Sequence, residues 1–158
     1  MKELHLRNRQ RARRINSNLL RRMARTLLEE ELELTSYQLA IHLVTAGKMA
    51  QVNGQFLQHS GSTDVITFDY RDGYAEMAEQ KAAELTGEIY ISITDAISQA
   101  REFSTKWQEE VVRYAIHGVL HLRGYDDLAS AKRAIMKREE NRLLRRIAAQ
   151  FPVASIGA

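Results

Sequence analysis

The spacing of the apolar residues changes along this chain of 158 residues, and that change limits the folds it can adopt. Four segments alternate apolar and polar residues or are rich in β-branched and aromatic side chains, which predicts strands over 3–7, 36–44, 63–70 and 88–92. Beyond residue 94 the apolar residues recur every three or four positions, which predicts helices. Strands early and helices late predict a single α+β domain over 1–158, with a mixed or mostly antiparallel sheet of about four strands.

About five helices are predicted to pack on this sheet, and their limits follow from capping residues and glycines. The predicted helices cover 16–31, 45–53, 95–103, 105–124 and 129–150. Gly54 is expected to end the second helix, while Thr94 and Thr105 are expected to cap the third and fourth. The last helix is basic outside and is expected to bury Ile135, Met136, Leu143, Leu144 and Ile147.

The composition, with 44% apolar and 27% charged residues, is that of an ordinary soluble globular protein. Because cysteine is absent, disulfides, thiolate metal sites and cysteine nucleophiles are excluded, and any metal must be held by His, Asp or Glu. No segment reaches the ~20 apolar residues of a membrane span. The basic start of the chain lacks the apolar run of a signal peptide. We therefore expect a cytoplasmic protein with no membrane partner.

Positive charge is concentrated at the two ends of the chain. Residues 1–26 carry nine Lys/Arg against one Glu, and residues 132–146 carry seven against two, whereas the stretch between carries seven against seventeen acids. This segregation fits a polyanion bound by the ends, and it fits two solvated helix faces equally well. If the polyanion is RNA, the candidate contacts are Arg21, Arg22, Arg25, Arg138, Arg142 and Arg145.

The segment HGVLHLRGYDD, from His117 to Asp127, has the spacing of a metal site. On a helix, His117 and His121 share one face, from which two imidazoles can reach one cation. Gly124 accepts a positive φ, so the chain can turn there and bring Asp127 back to the same point. Two nitrogens and one carboxylate oxygen leave the fourth position of a tetrahedral ion open, as in catalytic zinc sites. The sequence therefore predicts one zinc ion, with Mn²⁺ or Mg²⁺ as alternatives because a carboxylate is a harder ligand.

Other interpretations of these residues stay open. The two histidines could simply pack against the core, and Asp126 could be the ligand or a partner of a histidine. Asp127 could instead cap the last helix. Gly118 costs about 1 kcal/mol relative to alanine inside a helix, so we expect either close packing or a substrate passing over the bare backbone there.

The same eleven residues resemble the H-G-x-L-H-L-x-G-Y-D-H motif of the YbeY family, the bacterial endoribonucleases of ribosomal RNA maturation, at every position except the last. TDVITF (63–68) is similar to the family's T-[DN]-V-L-S-F strand. TGEIYIS (86–92) is similar to its L-G-D-I-x-I-S strand, and NGQF (53–56) to its N-x-x-Y. The order of these segments matches the family over about residues 35–128.

This resemblance implies an α+β fold with about four strands and roughly five helices. It also implies a metal-dependent endoribonuclease, specific for single strands, that acts in ribosomal RNA maturation and ribosome quality control. Ribosomal RNA and the small ribosomal subunit are the implied partners. The oligomeric state does not follow from the sequence.

Three positions depart from the family pattern. The third ligand of the family is histidine, whereas this chain has Asp127, which keeps a ligand but lowers the charge of the site by one unit. Leu57 stands where the family usually has an arginine for RNA binding or catalysis, and residues 60–62 replace its D-x-P. His59 could supply a donor in place of that arginine, or be an ordinary surface histidine.

Two rival functions fit part of the pattern. The ligand spacing also matches the metzincin proteases, but the glutamate base of those enzymes is replaced by Gly118, which cannot abstract a proton. A non-enzymatic ribosome- or RNA-binding factor with a structural metal would use the basic ends equally well. The polar groups expected near the metal are Thr67, Glu88, Tyr125 and Asp126, and none of them can be assigned as general acid or base.

Overall fold

The computed structural model describes residues 1–56, 64–70 and 83–157. The features discussed at Leu57, at His59 and at residues 60–62 lie outside the described residues, as does most of the segment between the third and fourth predicted strands. The elements in chain order are β1 Lys2–Asn8, α1 Ser17–Thr26, β2 Tyr37–Val44, α2 Ala46–Phe56, β3 Val65–Asp69, β4 Thr86–Ser92, α3 Ile93–Phe103, α4 Trp107–Leu122 and α5 Ser130–Gln150. A π-helical turn, Leu27–Glu31, extends α1, and a 3₁₀ turn, Val153–Ile156, follows α5.

The four strands form one mixed sheet in the order β1-β2-β4-β3. β1 pairs with β2 in parallel, and β2 pairs with β4 in parallel. β3 closes the other edge antiparallel to β4. Four strands in a mixed sheet, with five α-helices in the described part of the chain, confirm the predicted α+β fold.

The two faces of the sheet are covered unequally. The main core lies on one face, where β2 and β4 meet apolar side chains from α1, α3, α4 and α5. A smaller cluster lies on the opposite face, where Met49 and Val52 of α2 pack against Val44 and Ile66. Because α4 packs on the main face against β3 and β4, and its Leu122 lies close to Gly87, the C-terminal end of α4 is held against the sheet.

Most of the predicted helix limits and faces are confirmed. Asn16 caps α1, since its side chain accepts a hydrogen bond from the Leu19 N–H at 3.1 Å. α4 ends at Leu122, just before Gly124. Within the described residues, no helix has both the length and the apolar content needed to cross a membrane.

Two predicted caps are wrong. Ser92, not Thr94, caps α3, because β4 leads directly into this helix and Ser92 is still extended when it accepts from the Asp95 N–H. Thr94 accepts instead from the Ala46 N–H at 2.7 Å. α4 begins one residue later than predicted, with Lys106 at the cap position, and the Thr105 hydroxyl donates to Glu110 at 3.0 Å.

Two further positions differ from prediction. α2 runs through Gly54 to Phe56, because an interior glycine weakens a helix by about 1 kcal/mol without removing its hydrogen bonds. Ile135 is 53% exposed, although Met136, Leu143, Leu144 and Ile147 are buried as predicted. α5 lies on the surface of the domain and buries a narrow stripe, so its neighbouring position 135 falls outside the contact.

Candidate metal centre

A close contact between α4 and β4 holds the two histidines in place. A Cβ atom on Gly118 would lie 2.8 Å from two carbons of Ile89, a side chain with no solvent exposure. At Gly87 a Cβ would lie 2.4 Å from the Phe68 carbonyl oxygen and 2.7 Å from Leu122. Of the two roles expected for Gly118, the structure provides close packing.

The chain reverses direction directly after α4. Gly124 has a φ of +98°, the left-handed conformation that glycine adopts without strain. Its N–H donates to the His121 carbonyl at 3.0 Å, and the Tyr125 N–H donates to the Leu120 carbonyl at 3.0 Å. These two bonds form a Schellman motif, which satisfies the last carbonyls of α4. The turn carries Asp127 back over the final turn of the helix.

Three potential ligand atoms converge at this point. The Nε2 atoms of His117 and His121 are 3.1 Å apart, and Oδ2 of Asp127 lies 3.6 Å and 3.4 Å from them, respectively. Tetrahedral zinc with bonds of about 2.0–2.1 Å separates its ligand atoms by about 3.3–3.4 Å. The observed triangle is therefore close to one face of such a tetrahedron. The donor set of two imidazoles and one carboxylate fits a divalent cation.

On the outer side, the Nδ1 atom of each imidazole faces an oxygen of the protein. A carbonyl oxygen only accepts, so Nδ1 of His121 donates to the Tyr125 carbonyl oxygen at 3.2 Å and Nε2 faces the ligand triangle. Nδ1 of His117 lies 3.9 Å from Oε2 of Glu140, a residue of α5 that is only 4% exposed. Both rings thus present Nε2 to the same point.

Glu140 was not anticipated from the sequence. Burial alone would raise its pKa, but the nearby His117 imidazole and the charges of Lys137 and Arg113 hold the pKa of this carboxyl below its usual range. Glu140 is therefore an anion behind His117. Its role depends on how α5 packs on α4, for which the spacing of residues gives no signal.

Asp126 and Asp127 have different surroundings. Asp126 accepts from the Leu128 N–H at 2.8 Å and lies 3.9 Å from Nζ of Lys132. Asp127 faces the histidines, and the three residues have ligand atoms within 4.8 Å of one another. The cap position of α5 is held by Ala129, with no side-chain hydrogen bond to the helix. The side chains of His117, His121 and Asp127 are 24%, 26% and 38% exposed, so the site is open to solvent.

Glu88 is not near these ligands, contrary to expectation. Its neighbours Gly87 and Ile89 contact α4, so alternation along β4 directs Glu88 to the opposite face of the sheet. There Oε1 lies 3.0 Å from Nε2 of His42, and the Tyr70 hydroxyl donates to Oε2 at 2.6 Å. Burial would raise the pKa of Glu88, but these two hydrogen bonds hold it below its usual value.

Thr67 and Tyr125 lie on the same side of the sheet as the three candidate ligands. Thr67 lies opposite Ile89 in the β3–β4 register, and therefore on the face that α4 covers. Tyr125 contributes its backbone carbonyl to His121 and packs against the core. Neither geometry assigns a general acid or base.

The six arginines proposed for RNA lie on two helices and differ in their partners. Arg21 donates to Asn18, and the guanidinium of Arg22 lies 5.5 Å from the centre of the Phe151 ring. Arg142 donates to Glu139 at 3.0 Å. Arg25 and Arg138 are exposed, and Arg145 lines a cleft between α4 and α5.

Comparison with known proteins identifies the family. The family model described as Endoribonuclease YbeY matches residues 5–148. This chain belongs to the YbeY family. The expected resemblance is thereby confirmed over most of the chain.

Individual YbeY relatives match over different lengths. The protein named Endoribonuclease YbeY from Parabacteroides distasonis is 40% identical over 97 residues, which cover 61% of this chain and 62% of the relative. The protein of that name from Chlorobaculum tepidum is 37% identical over 136 residues, or 85% of this chain and 91% of the relative. The match thus spans less than two thirds of the first relative and most of the second.

The fold is also found among solved structures. The solution structure of TM1509 from Thermotoga maritima covers 93% of this chain and 90% of its own, with a TM-score of 0.65 and 24% sequence identity. The two proteins share an overall fold.

Proposed function

We propose that this YbeY-family chain is a metal-dependent endoribonuclease that cleaves single-stranded RNA in ribosomal RNA maturation and ribosome quality control. The observation that carries the proposal is the convergence of three ligand atoms within 4.8 Å in a chain whose relatives are named endoribonucleases. The cofactor is one Zn²⁺, and the partners are ribosomal RNA and the small ribosomal subunit in the cytoplasm.

His117, His121 and Asp127 are the residues that would hold the ion. A bound zinc supplies Lewis acidity toward a phosphoryl oxygen and lowers the pKa of a bound water toward ~7. The protein contributes orientation, because the Tyr125 carbonyl holds the His121 imidazole and the Glu140 carboxylate lies 3.9 Å behind the His117 imidazole. The exposed side of the ligand triangle leaves room for a phosphodiester to approach.

The protease alternative is disfavoured by packing as well as by sequence. A metzincin needs a glutamate directly after the first histidine, where this chain has Gly118. A Cβ there would already lie 2.8 Å from Ile89, so a longer side chain has no space. The position that would carry a protease base is used for helix–sheet contact instead.

A cleavage assay with two substrates separates the three functional classes. The purified protein is incubated with single-stranded ribosomal RNA and with casein, each with and without a chelator. We expect cleavage of RNA alone, lost with the chelator and restored by zinc. Cleavage of casein would support the protease, and no cleavage of either substrate would support a binding factor.

Matched histidine variants test the ligands. His121→Ala should lower metal content and RNA cleavage together, whereas His5→Ala, at an exposed position of β1, should leave both unchanged. Equal metal content in the two variants would contradict the assignment of His121.

Adjacent carboxylates give a second matched pair. Asp127→Asn should lose metal, while Asp126→Asn should retain it, because an amide at 126 can still accept from the Leu128 N–H. The reverse pattern would make Asp126 the ligand.

A further inference from the structure

A basic cleft lies at the opposite end of α4 from the metal ligands. Its volume is about 620 Å³, and it is formed by the start of α4, the C-terminal half of α5 and the 3₁₀ turn that follows α5. Its charged and amide side chains are those of Lys106, Glu109, Arg113, Asn141 and Arg145. Three cations and one carboxylate give the cleft a net positive charge.

The cleft has two cations without carboxylate partners. Arg113 is held by Asn141 at 2.7 Å and lies within 4.0 Å of Glu109 and Glu140. Lys106 and Arg145, in contrast, take part in no ion pair with the described residues. Their charges are therefore available to an external anion.

Asn141 adds a hydrogen-bond donor to this pair. An arginine can only donate, so the amide oxygen of Asn141 must face Arg113, and its NH₂ group is left for an acceptor. A phosphate oxygen is such an acceptor. The cleft thus combines charge and donors of the kind that bind a phosphodiester backbone.

A second cleft continues the positive surface. It has a volume of about 490 Å³, shares Thr105, Lys106 and Ala154 with the first, and adds Arg13 and Arg101. Cations distributed along adjoining clefts fit an extended polyanion better than a single small anion.

The basic cleft and the metal ligands lie on one stripe of α4. Glu109, Arg113, His117 and His121 follow each other at intervals of four residues, and therefore lie on one side of the helix. Glu140 of α5 links the two parts, with Oε1 3.8 Å from Arg113 and Oε2 3.9 Å from His117. From Glu109 to His117 the helix rises by about 12 Å.

We propose that the cleft lined by Lys106, Arg113, Asn141 and Arg145 is a second contact for single-stranded RNA. The cleft binds backbone phosphates of the same strand whose scissile bond lies at the metal centre. The proposal rests on the proposed function, and it adds that the RNA extends from the metal centre to this cleft. It selects Arg145 from the six arginines suggested by the sequence and adds Lys106.

Binding of a non-hydrolysable RNA tests the contact separately from cleavage. The zinc-loaded full chain is titrated, at several salt concentrations, with 2′-O-methyl phosphorothioate oligouridines whose lengths increase by one nucleotide. In Lys106→Gln/Arg145→Gln the log–log salt slope should become shallower by about 1.4, since each phosphate neutralised on a single strand contributes about 0.7. The matched control Lys48→Gln/Arg11→Gln, which removes two exposed charges outside both clefts, should keep the parental slope.

The length series provides the decisive comparison. The affinity lost in Lys106→Gln/Arg145→Gln should appear only for oligouridines long enough to reach from the metal centre to the cleft. An unchanged slope, an equal change in the control, or an equal loss for the shortest oligouridines would overturn the proposal. If the unsubstituted chain binds the oligouridines as expected but cleaves no unmodified RNA, the proposed function is contradicted and the cleft remains an RNA contact.

Discussion

Replacing Gly118 by alanine places a methyl group at the contact between α4 and β4. The new Cβ would lie 2.8 Å from both Cδ1 and Cγ2 of Ile89. Ile89 is fully buried in β4, which is paired with β2 on one side and β3 on the other, so it cannot move without displacing its neighbours. Either α4 must move away from the sheet or the Ile89 side chain must leave its preferred rotamer.

The expected magnitude is the difference between two opposing effects. Overpacking of a core by one methyl group costs about 1–3 kcal/mol. Alanine is the better helix former than glycine by about 1 kcal/mol. We therefore expect Gly118→Ala to lower the free energy of unfolding by about 1 kcal/mol, equivalent to roughly 2–4 °C in a domain of this size.

Urea unfolding followed by circular dichroism measures this free energy for a set of variants. Gly47→Ala in α2 is the matched control, because a Cβ there meets only the Thr45 hydroxyl oxygen at 4.0 Å. This control should be neutral or stabilising by up to about 1 kcal/mol. Ile89→Val removes Cδ1, one of the two clashing atoms, and should cost about 0.5–1.5 kcal/mol alone.

The double variant Gly118→Ala/Ile89→Val tests the physical cause. Since the alanine methyl partly fills the space that Cδ1 leaves, the double variant should lose less stability than the sum of the single losses. Additive losses would show that Ile89 is not the obstacle. A Gly118→Ala chain as stable as the Gly47→Ala control would refute the packing explanation altogether.

Other variants test the site and its surroundings. Asp127→His should hold zinc at least as well as the parent and shift the pH profile of hydrolysis to lower pH, because a neutral ligand donates less charge to the ion. Asp127→Ala should lose metal but little helix stability in the metal-free protein, since Ala129 and not Asp127 occupies the cap of α5. Because the pKa of Glu88 is lowered in the folded protein, its carboxylate stabilises the fold at pH values above 4.5, and this stabilisation is lost as the pH falls through the lowered pKa. In urea unfolding, the stability that Glu88→Gln loses at about pH 7 should therefore be smaller at about pH 3. Arg145→Gln should flatten the salt dependence of RNA binding more than Arg142→Gln, because Arg142 already donates to Glu139.

The candidate metal centre could be predicted from the sequence because its parts are local. The period of one helix brings His117 and His121 to the same face, and Gly124, three residues before Asp127, reverses the chain. Local rules of this kind need no knowledge of the tertiary fold. The observed helix end at Leu122 and the positive φ of Gly124 agree with them.

Features that depend on packing between distant elements could not be predicted in the same way. The alternation of β4 separates Glu88 from Ile89, but the sequence does not say which face α4 covers. Glu140 reaches His117 only because α5 folds back along α4. The same limit explains Ile135, since the width of the stripe that α5 buries is set by its neighbours and not by its own periodicity.

The aspartate at position 127 affects how much the basic cleft would contribute to RNA binding. An aspartate ligand lowers the charge of a divalent centre by one unit relative to histidine, and Glu140 places a second carboxylate behind His117. A less positive centre attracts a phosphodiester less strongly. More of the affinity for RNA must then come from cations outside the ligand set, and Lys106 and Arg145, which have no ion pair with the described residues, line the cleft beside the start of α4. If the proposed function holds, the departure from the family pattern increases the importance of the proposed RNA contact, whose lining along α4 runs from Arg113 to Glu109, about 6–12 Å from His117.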